Sequence, residues 1–215
     1  MSKNNILSNM IIESQYWGSI DYFRLLLKCE TVYIEHYEHF VKASYRNRCQ
    51  IATPDGVQIL TVPIESGRGV RKILKDVKIH YSTDWQKHHW QSLCSAYRRS
   101  PYFEYYEDDL QPLFTNKFKF LLDLNNAAFE KINTFLDLEI NLKATDTFEK
   151  TYEEMDDKRS CILPSKSRNK NPYLDDPVTY HQVFESKCPF LPNMSILDLL
   201  FAEGPNAKMK IIPQP

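Results

Sequence analysis

Two arginines set two positions apart, in Ser44-Tyr45-Arg46-Asn47-Arg48, form the chain's most direct chemical pattern. Alternate residues of an extended segment point to the same side. Arg46 and Arg48 would then present two planar guanidinium groups able to grip a phosphate or carboxylate through paired hydrogen bonds, with Tyr45 and Asn47 between them. The plainer alternative is a pair of exposed arginines on an edge strand. A second pattern, residues 15–23 (QYWGSIDYF), sets a glycine among aromatics just ahead of a helical segment. The first N–H groups of a helix have no partner inside it and attract anions. Gln15, Tyr16 and Ser19 are therefore candidates to fix a phosphate or carboxylate, and Asp21 to cap the helix or orient a ligand. Against this, Trp17 and Tyr22 could simply pack while Gly18 makes the turn.

Residues 84–103 carry His88 and His89 on a predicted helix, with Ser92 and Ser95 near the face of His88. A histidine near neutrality can act as general acid or base, so these two are the catalytic candidates. The His–Ser pair has no identifiable orienting carboxylate, and adjacent residues point to different helix faces. Arg98 and Arg99 at the helix end suit its dipole. In residues 192–205, Asn193 and Ser195 precede an apolar helix whose first turn holds Asp198. Capping accounts for this pattern, and Asn193 and Asp198 are also candidates to face a ligand.

The elements that must position these residues read as an α/β fold. Strand, turn, helix and strand over residues 10–13, 14–19, 20–28 and 31–35 make a βαβ-type unit. Residues 48–53 and 57–63 flank Pro54-Asp55-Gly56 and read as a β-hairpin. Residues 66–69, with Gly67 and Gly69, read as a flexible connection, and 76–80 as a further strand. A helical middle follows, at 84–99, 104–110 and 117–136, with an apolar stripe through Phe118, Leu121, Leu122, Leu124, Ala128, Ile132 and Phe135. Residues 160–176 (SCILPSKSRNKNPYLDD) form a long basic loop suited to a protein partner. Ser195 caps a short C-terminal helix over 196–203, and 206–215 reads as a loose tail.

At 215 residues the chain fits one domain, 1–215, and its 42% apolar content suffices for a core. A net charge of −1 argues against whole-domain nucleic-acid or membrane binding. No apolar run is long enough to span a membrane, and the N-terminus lacks a signal pattern, which implies a cytoplasmic protein. Five cysteines without a C-x-x-C pair suit a reducing compartment. No metal-ligand spacing is visible, and no motif names a cofactor.

Taken in order, these segments resemble the WbqC-like family of bacterial proteins. The matching elements are the aromatic–glycine–aromatic opening at 15–23, Tyr45-Arg46-Asn47-Arg48 and Leu60-Thr61-Val62-Pro63-Ile64. They continue with Trp85, His88 and Tyr97 followed by Ser100-Pro101-Tyr102-Phe103, then Tyr180-x-Gln182-x-Phe184, and the run from Asn193 to Gly204-Pro205. Members of that family are associated with surface-polysaccharide (O-antigen) gene clusters, and the resemblance implies transfer of an amino acid, such as glycine, onto a sugar. Two departures stand out. The opening turn here is shorter and lacks proline, and the glycine-rich segment of longer members is replaced by the basic loop.

The resulting expectation is a transferase in which Arg46, Arg48 and residues 15–23 hold an anionic donor or nucleotide-sugar, and His88 or His89 moves the proton. The competing expectation is a non-catalytic protein using the same surface to bind a ligand or partner. A third, drawn from the strand–turn–helix opening, is nucleotidyl-transfer-like activation of a substrate.

Overall fold

Met10, Ile11 and Ile12 are all fully buried, a continuous apolar run of the kind that occupies the middle of a parallel sheet. The computed structural model describes residues 7–65, 71–164 and 177–212, and places this run in β1 (Leu7–Ile12). Helix α1 (Ile20–Leu26) returns the chain to β2 (Cys29–Ile34), which pairs with β1 in parallel from Leu7↔Cys29 to Ile12↔Ile34. This is the expected βαβ unit. Two short strands complete the sheet: β5 (Leu142–Ala144) beside β2, and β6 (Asp156–Asp157) beside β1. The order is β5-β2-β1-β6, all parallel. The carboxyl ends of all four strands thus lie along one edge.

The hairpin forms where Pro54-Asp55-Gly56 predicts it. β3 (Arg48–Thr53) pairs antiparallel with β4 (Gly56–Thr61), and Gly56 takes φ 104°, a conformation open to glycine. Residues 44–47, in contrast, form turns rather than an extended strand. Arg46 and Arg48 therefore do not share one side of an extended strand, as their spacing predicts. The strand expected at 76–80 is also absent. Residues Leu74–Asp76 form a 3-10 turn, and the chain beyond it makes only single bridges, Lys78↔Phe120 and Ile64↔Ile79. The alternation that suggested a strand is real, since Val77 and Ile79 are buried, but it serves to stitch the hairpin to the helices.

The helical middle consists of α2 (Trp85–Tyr97), α3 (Phe103–Thr115) and α4 (Leu121–Phe135). α3 runs past Leu110 through Pro112 to Thr115. α4 begins four residues later than residue 117 because Phe120 is extended and bridged to Lys78. α5 (Ile196–Glu203) starts as expected, with the Ser195 hydroxyl accepting from Leu197 N–H. Residues 206–212 of the expected loose tail are ordered. After a 3-10 turn (Gly204–Asn206), α6 (Ala207–Ile211) buries Ala207 and Ile211, and Lys208 bonds the carbonyl and carboxylate of Asp137. Residues 213–215, the 66–70 connection and residues 165–176 of the basic loop lie outside the described residues. No helix among those described is long and apolar enough to cross a membrane.

Gly204 makes the α5–α6 corner. It has φ 56° and ψ −134°, and a Cβ there would lie 2.4 Å from the Tyr102 ring. Gly204→Ala should therefore lose about 1–3 kcal/mol. Thermal unfolding followed by circular dichroism should show this as a fall in Tm of about 3–10 °C.

Candidate functional site

The N-terminus of α1 is already filled from within. Ser19 N–H faces Gln15 Oε1 at 3.5 Å, and Ile20 N–H donates to the Met194 carbonyl at 2.9 Å. Asp21 N–H donates to Asn193 Oδ1 at 2.9 Å, and Tyr22 N–H to the Ser19 hydroxyl at 3.3 Å. The reverse contacts are equally direct, with Ile196 N–H on the Gly18 carbonyl and the Ser195 hydroxyl on that of Trp17. Residues 15–23 and 192–198 do converge, as the sequence suggested, but each caps the other's helix. Trp17 and Asn193 hold positive φ angles (45° and 54°) to make this possible.

Asp198 is buried as well. Its carboxylate accepts from Tyr97 Oη at 2.6 Å, Gln182 Nε2 at 2.8 Å and the Tyr180 hydroxyl. Burial raises its pKa, and these three donors oppose the rise. The arrangement locks the Tyr180-x-Gln182 segment onto α5 and α2. Tyr97 Oη also accepts from Ala52 N–H at 3.0 Å, so β3 joins the same lock.

The two histidines separate. His89 is buried, with Nδ1 3.0 Å from Tyr16 Oη, its ring edge-on to Trp85 and a hydrogen bond to the Thr61 backbone. Burial holds its pKa down at about 4, so at neutral pH it is an uncharged core residue joining α2, β4 and the 15–17 turn. His88 is exposed on the outer face of α2, in an open polar groove with Asp55, Gln58, Ser92 and Ser95. Neither is placed against the arginines. Asn47 donates Nδ2 to the Val62 carbonyl at 2.8 Å, and Arg48 pairs with Thr61 in the hairpin.

Polar groups collect instead along the carboxyl edge of the parallel sheet. Glu13 follows β1, Glu35 follows β2, Thr145 follows β5 and residues 158–160 follow β6. Arg46 is fully buried, with Nε and Nη2 both 2.7 Å from the Glu38 carboxylate. Its Nη2 also reaches the Ser160 hydroxyl at 3.2 Å and lies 4.0 Å from Glu13. Glu13 accepts from Gln15 Nε2 at 3.1 Å and from Ser160 N–H at 2.6 Å. Glu35 accepts from Tyr37 N–H, Thr145 Oγ1, Tyr152 Oη and Arg159 Nη1. Asn125 of α4 donates to the Arg46 carbonyl at 2.8 Å and lines a narrow cleft with Ser14, Gln15 and Phe129.

Chemically, three carboxylates (Glu13, Glu35, Glu38) face two guanidinium groups (Arg46, Arg159) at the point where the sheet reverses its strand order, between β1 and β6. Open parallel sheets bind ligands outside such a point. Arg46 Nη1 and Asn125 Oδ1 are two of seven buried side-chain atoms without a hydrogen-bond partner among the described residues. Burial pushes the Glu38 carboxyl up, its contacts with Arg46 opposing this. The sequence candidates Gln15 and Arg46 belong to this cluster. The glutamates, Thr145, Tyr152, Arg159 and Asn125 were missed. Glu13 and Glu35 carried a readable signal, for each directly follows an apolar strand of the βαβ unit. Among the described residues no group of three histidine, cysteine or acidic side chains is arranged to hold a metal ion. All five cysteines are free, and burial raises the Cys29 and Cys161 thiols to about 11 and about 12.

The family model described as "WbqC-like protein family" matches residues 13–174, three quarters of the 215-residue chain. The uncharacterized protein Rv1507c of Mycobacterium tuberculosis is 31% identical over 134 residues, which cover 61% of this chain and 57% of that protein. The chain thus matches little more than half the length of this relative. No solved structure matches.

His89 sets an expected pH dependence. Its pKa is about 4 in the folded protein against 6.5 for an unperturbed histidine, so folding favours the neutral ring. The stability this provides is whole above pH 6.5 and is lost as pH falls towards 4. Urea unfolding should show about 2 kcal/mol less stability at pH 5 than at pH 7 from this residue. His89→Gln should flatten the difference by that amount.

Proposed function

The chain belongs to the WbqC-like protein family, and from that premise we propose that it is a transferase of bacterial surface-polysaccharide (O-antigen) biosynthesis that moves an amino acid or acyl group onto a sugar. The observation that carries this reading is the switch-point cluster at the carboxyl edge of the parallel sheet. Alternating carboxylates and guanidinium groups there match a ligand bearing an ammonium at one end and a carboxylate or phosphate at the other. Glu13 and Asn125 Oδ1 supply acceptors for the ammonium, and Arg46 Nη1 supplies a donor for the anion.

The proton-moving role passes from the histidines to Glu38. His89 is neutral and enclosed, and His88 faces an outer groove. Glu38 sits directly on Arg46, and burial raises its affinity for a proton, which suits a general base. In this reading the sugar hydroxyl attacks the carbonyl of an activated acyl donor. Glu38 takes the hydroxyl proton, and the donor's activating group leaves with its bonding electron pair. Nucleotidyl transfer at the α1 N-terminus has no comparable support, because the N–H groups it needs are hydrogen-bonded within the chain.

A non-catalytic ligand-binding role is the second reading. It is favoured by one observation: Arg46 is already held by Glu38, and Arg159 by Glu35 and Asp157.

Thermal shift against glycine, other small amino acids and nucleotide-sugars tests the site. A compound of this set at about 100 times its Kd should add about 2.7 kcal/mol, raising Tm by about 5–10 °C. Arg46→Lys should weaken that binding at least about tenfold, because lysine lacks the planar fork. Glu38→Gln separates the readings: under the transferase reading, turnover with an activated aminoacyl donor and a sugar fails while the thermal shift persists. If nothing in the set raises the Tm of the parent protein, the small-ligand site is wrong.

A further inference from the structure

The chain between β5 and β6 passes over the edge where this cluster lies. Among residues 146–155 none is buried, and only Tyr152 and Met155 are even half-buried. Elements held by so few buried apolar contacts are the first to open in native proteins. The roots of the segment are firm. At one end Thr145 is buried, with its N–H on the Ile34 carbonyl and its hydroxyl on Glu35. At the other, β6 pairs with β1 and Lys158 N–H donates to the Ile11 carbonyl.

What holds the segment down is polar and centred on one carboxylate. Tyr152 Oη donates to Glu35 Oε2 at 2.9 Å. Arg159 bridges the two layers: Nη1 donates to Glu35 Oε2 at 3.2 Å and to the Glu149 carbonyl at 3.0 Å, and Nη2 to the Lys150 carbonyl at 3.2 Å. The rings of Tyr152 and Phe148 lie 4.9 and 5.3 Å from its guanidinium carbon. Phe148 is itself half exposed, so that contact adds little burial. The segment carries four acidic side chains (Asp146, Glu149, Glu153, Glu154) against one lysine (Lys150). Arg159 is thus the group that lets an acidic strand of chain rest beside a buried glutamate.

We propose that residues 146–155 are a lid over the carboxyl-edge site, latched by Glu35 through Arg159 and Tyr152 and rooted at Thr145 and β6. Arg159, which the lid covers, is followed directly by Ser160, which joins Glu13 to Arg46. Release of the latch uncovers Glu35 and gives a ligand a path to the buried Arg46–Glu38 pair. The lid's role rests on the ligand site proposed above. Its motion does not, because the latch consists of groups within the chain.

Hydrogen–deuterium exchange with mass spectrometry on the free, full-length protein tests it. Amides of 146–155 should exchange at least about 100-fold faster than those of β1 and α5. Glu35→Gln should speed the lid a further 10- to 100-fold or so, leaving β1 and α5 unchanged, since a charge-assisted bond carries about that much. Should Glu35→Gln lose protection throughout, Tyr152→Phe decides, with about a five- to tenfold acceleration confined to the lid. A lid protected as well as β1, or unmoved when the latch is altered, overturns the proposal. Either result is read without ligand, so the lid can fail while the binding site stands, and the reverse.

Discussion

A guanidinium group with no exposure to water is tolerable only where carboxylates replace its hydration, and Arg46 sets that condition for the whole molecule. Glu38 meets it with two hydrogen bonds of 2.7 Å, and Ser160 and Glu13 stand near the same Nη2. These partners come from the ends of β2, β1 and β6. Asn125 adds α4 through the Arg46 carbonyl, and Tyr16 adds the α1 turn through that of Tyr45. Removing either member of the ion pair would leave the other charged and dry, so five elements are committed to one arrangement. Specificity of packing follows from this more than stability does, because well-packed apolar side chains hold a core together at least as well as a buried ion pair.

The same physics separates the carboxyl edge, which keeps unpartnered polar atoms, from the N–H groups at the start of α1, which do not. A helix end can be capped by any nearby carbonyl or side chain, and here Met194, Asn193, Gln15 and Ser19 cap it fully. The edge of a parallel sheet collects loops from distant parts of the chain, whose side chains must satisfy one another. Satisfaction there is incomplete, at Arg46 Nη1 and Asn125 Oδ1. Asp198 is the contrast: three donors surround it, and it acts as a fastener between segments.

Much of the scaffold was legible because its signals are local. The apolar run of β1, the Pro-Asp-Gly turn and the Ser195 cap each depend on a few adjacent residues, and each is where the sequence suggested. β5 and β6, of three and two residues, were not legible, since no periodicity exists at that length and register with β2 and β1 alone makes them strands. The arginine pair misled for a related reason. Spacing two apart has meaning only on an extended chain, and residues 44–47 turn. The full set of groups around Arg46 was beyond any local pattern: Glu38 is eight residues away, but Ser160 and Asn125 arrive from 114 and 79 residues away. The adjacency of His88 and His89 correctly implied divergent directions, but not that one would end in the core.

The pairing of β1 with β6 has a consequence for how the chain is made. Met10 is set against Asp156, so β1 leaves the ribosome with one of its two neighbours still about 150 residues from synthesis. At roughly 5–20 residues per second, the interval is on the order of ten seconds. During that time one edge of β1 is unpaired, and the contacts of Glu13 and Arg46 with Ser160 are not yet made. The sheet can close only once about three quarters of the chain has been made.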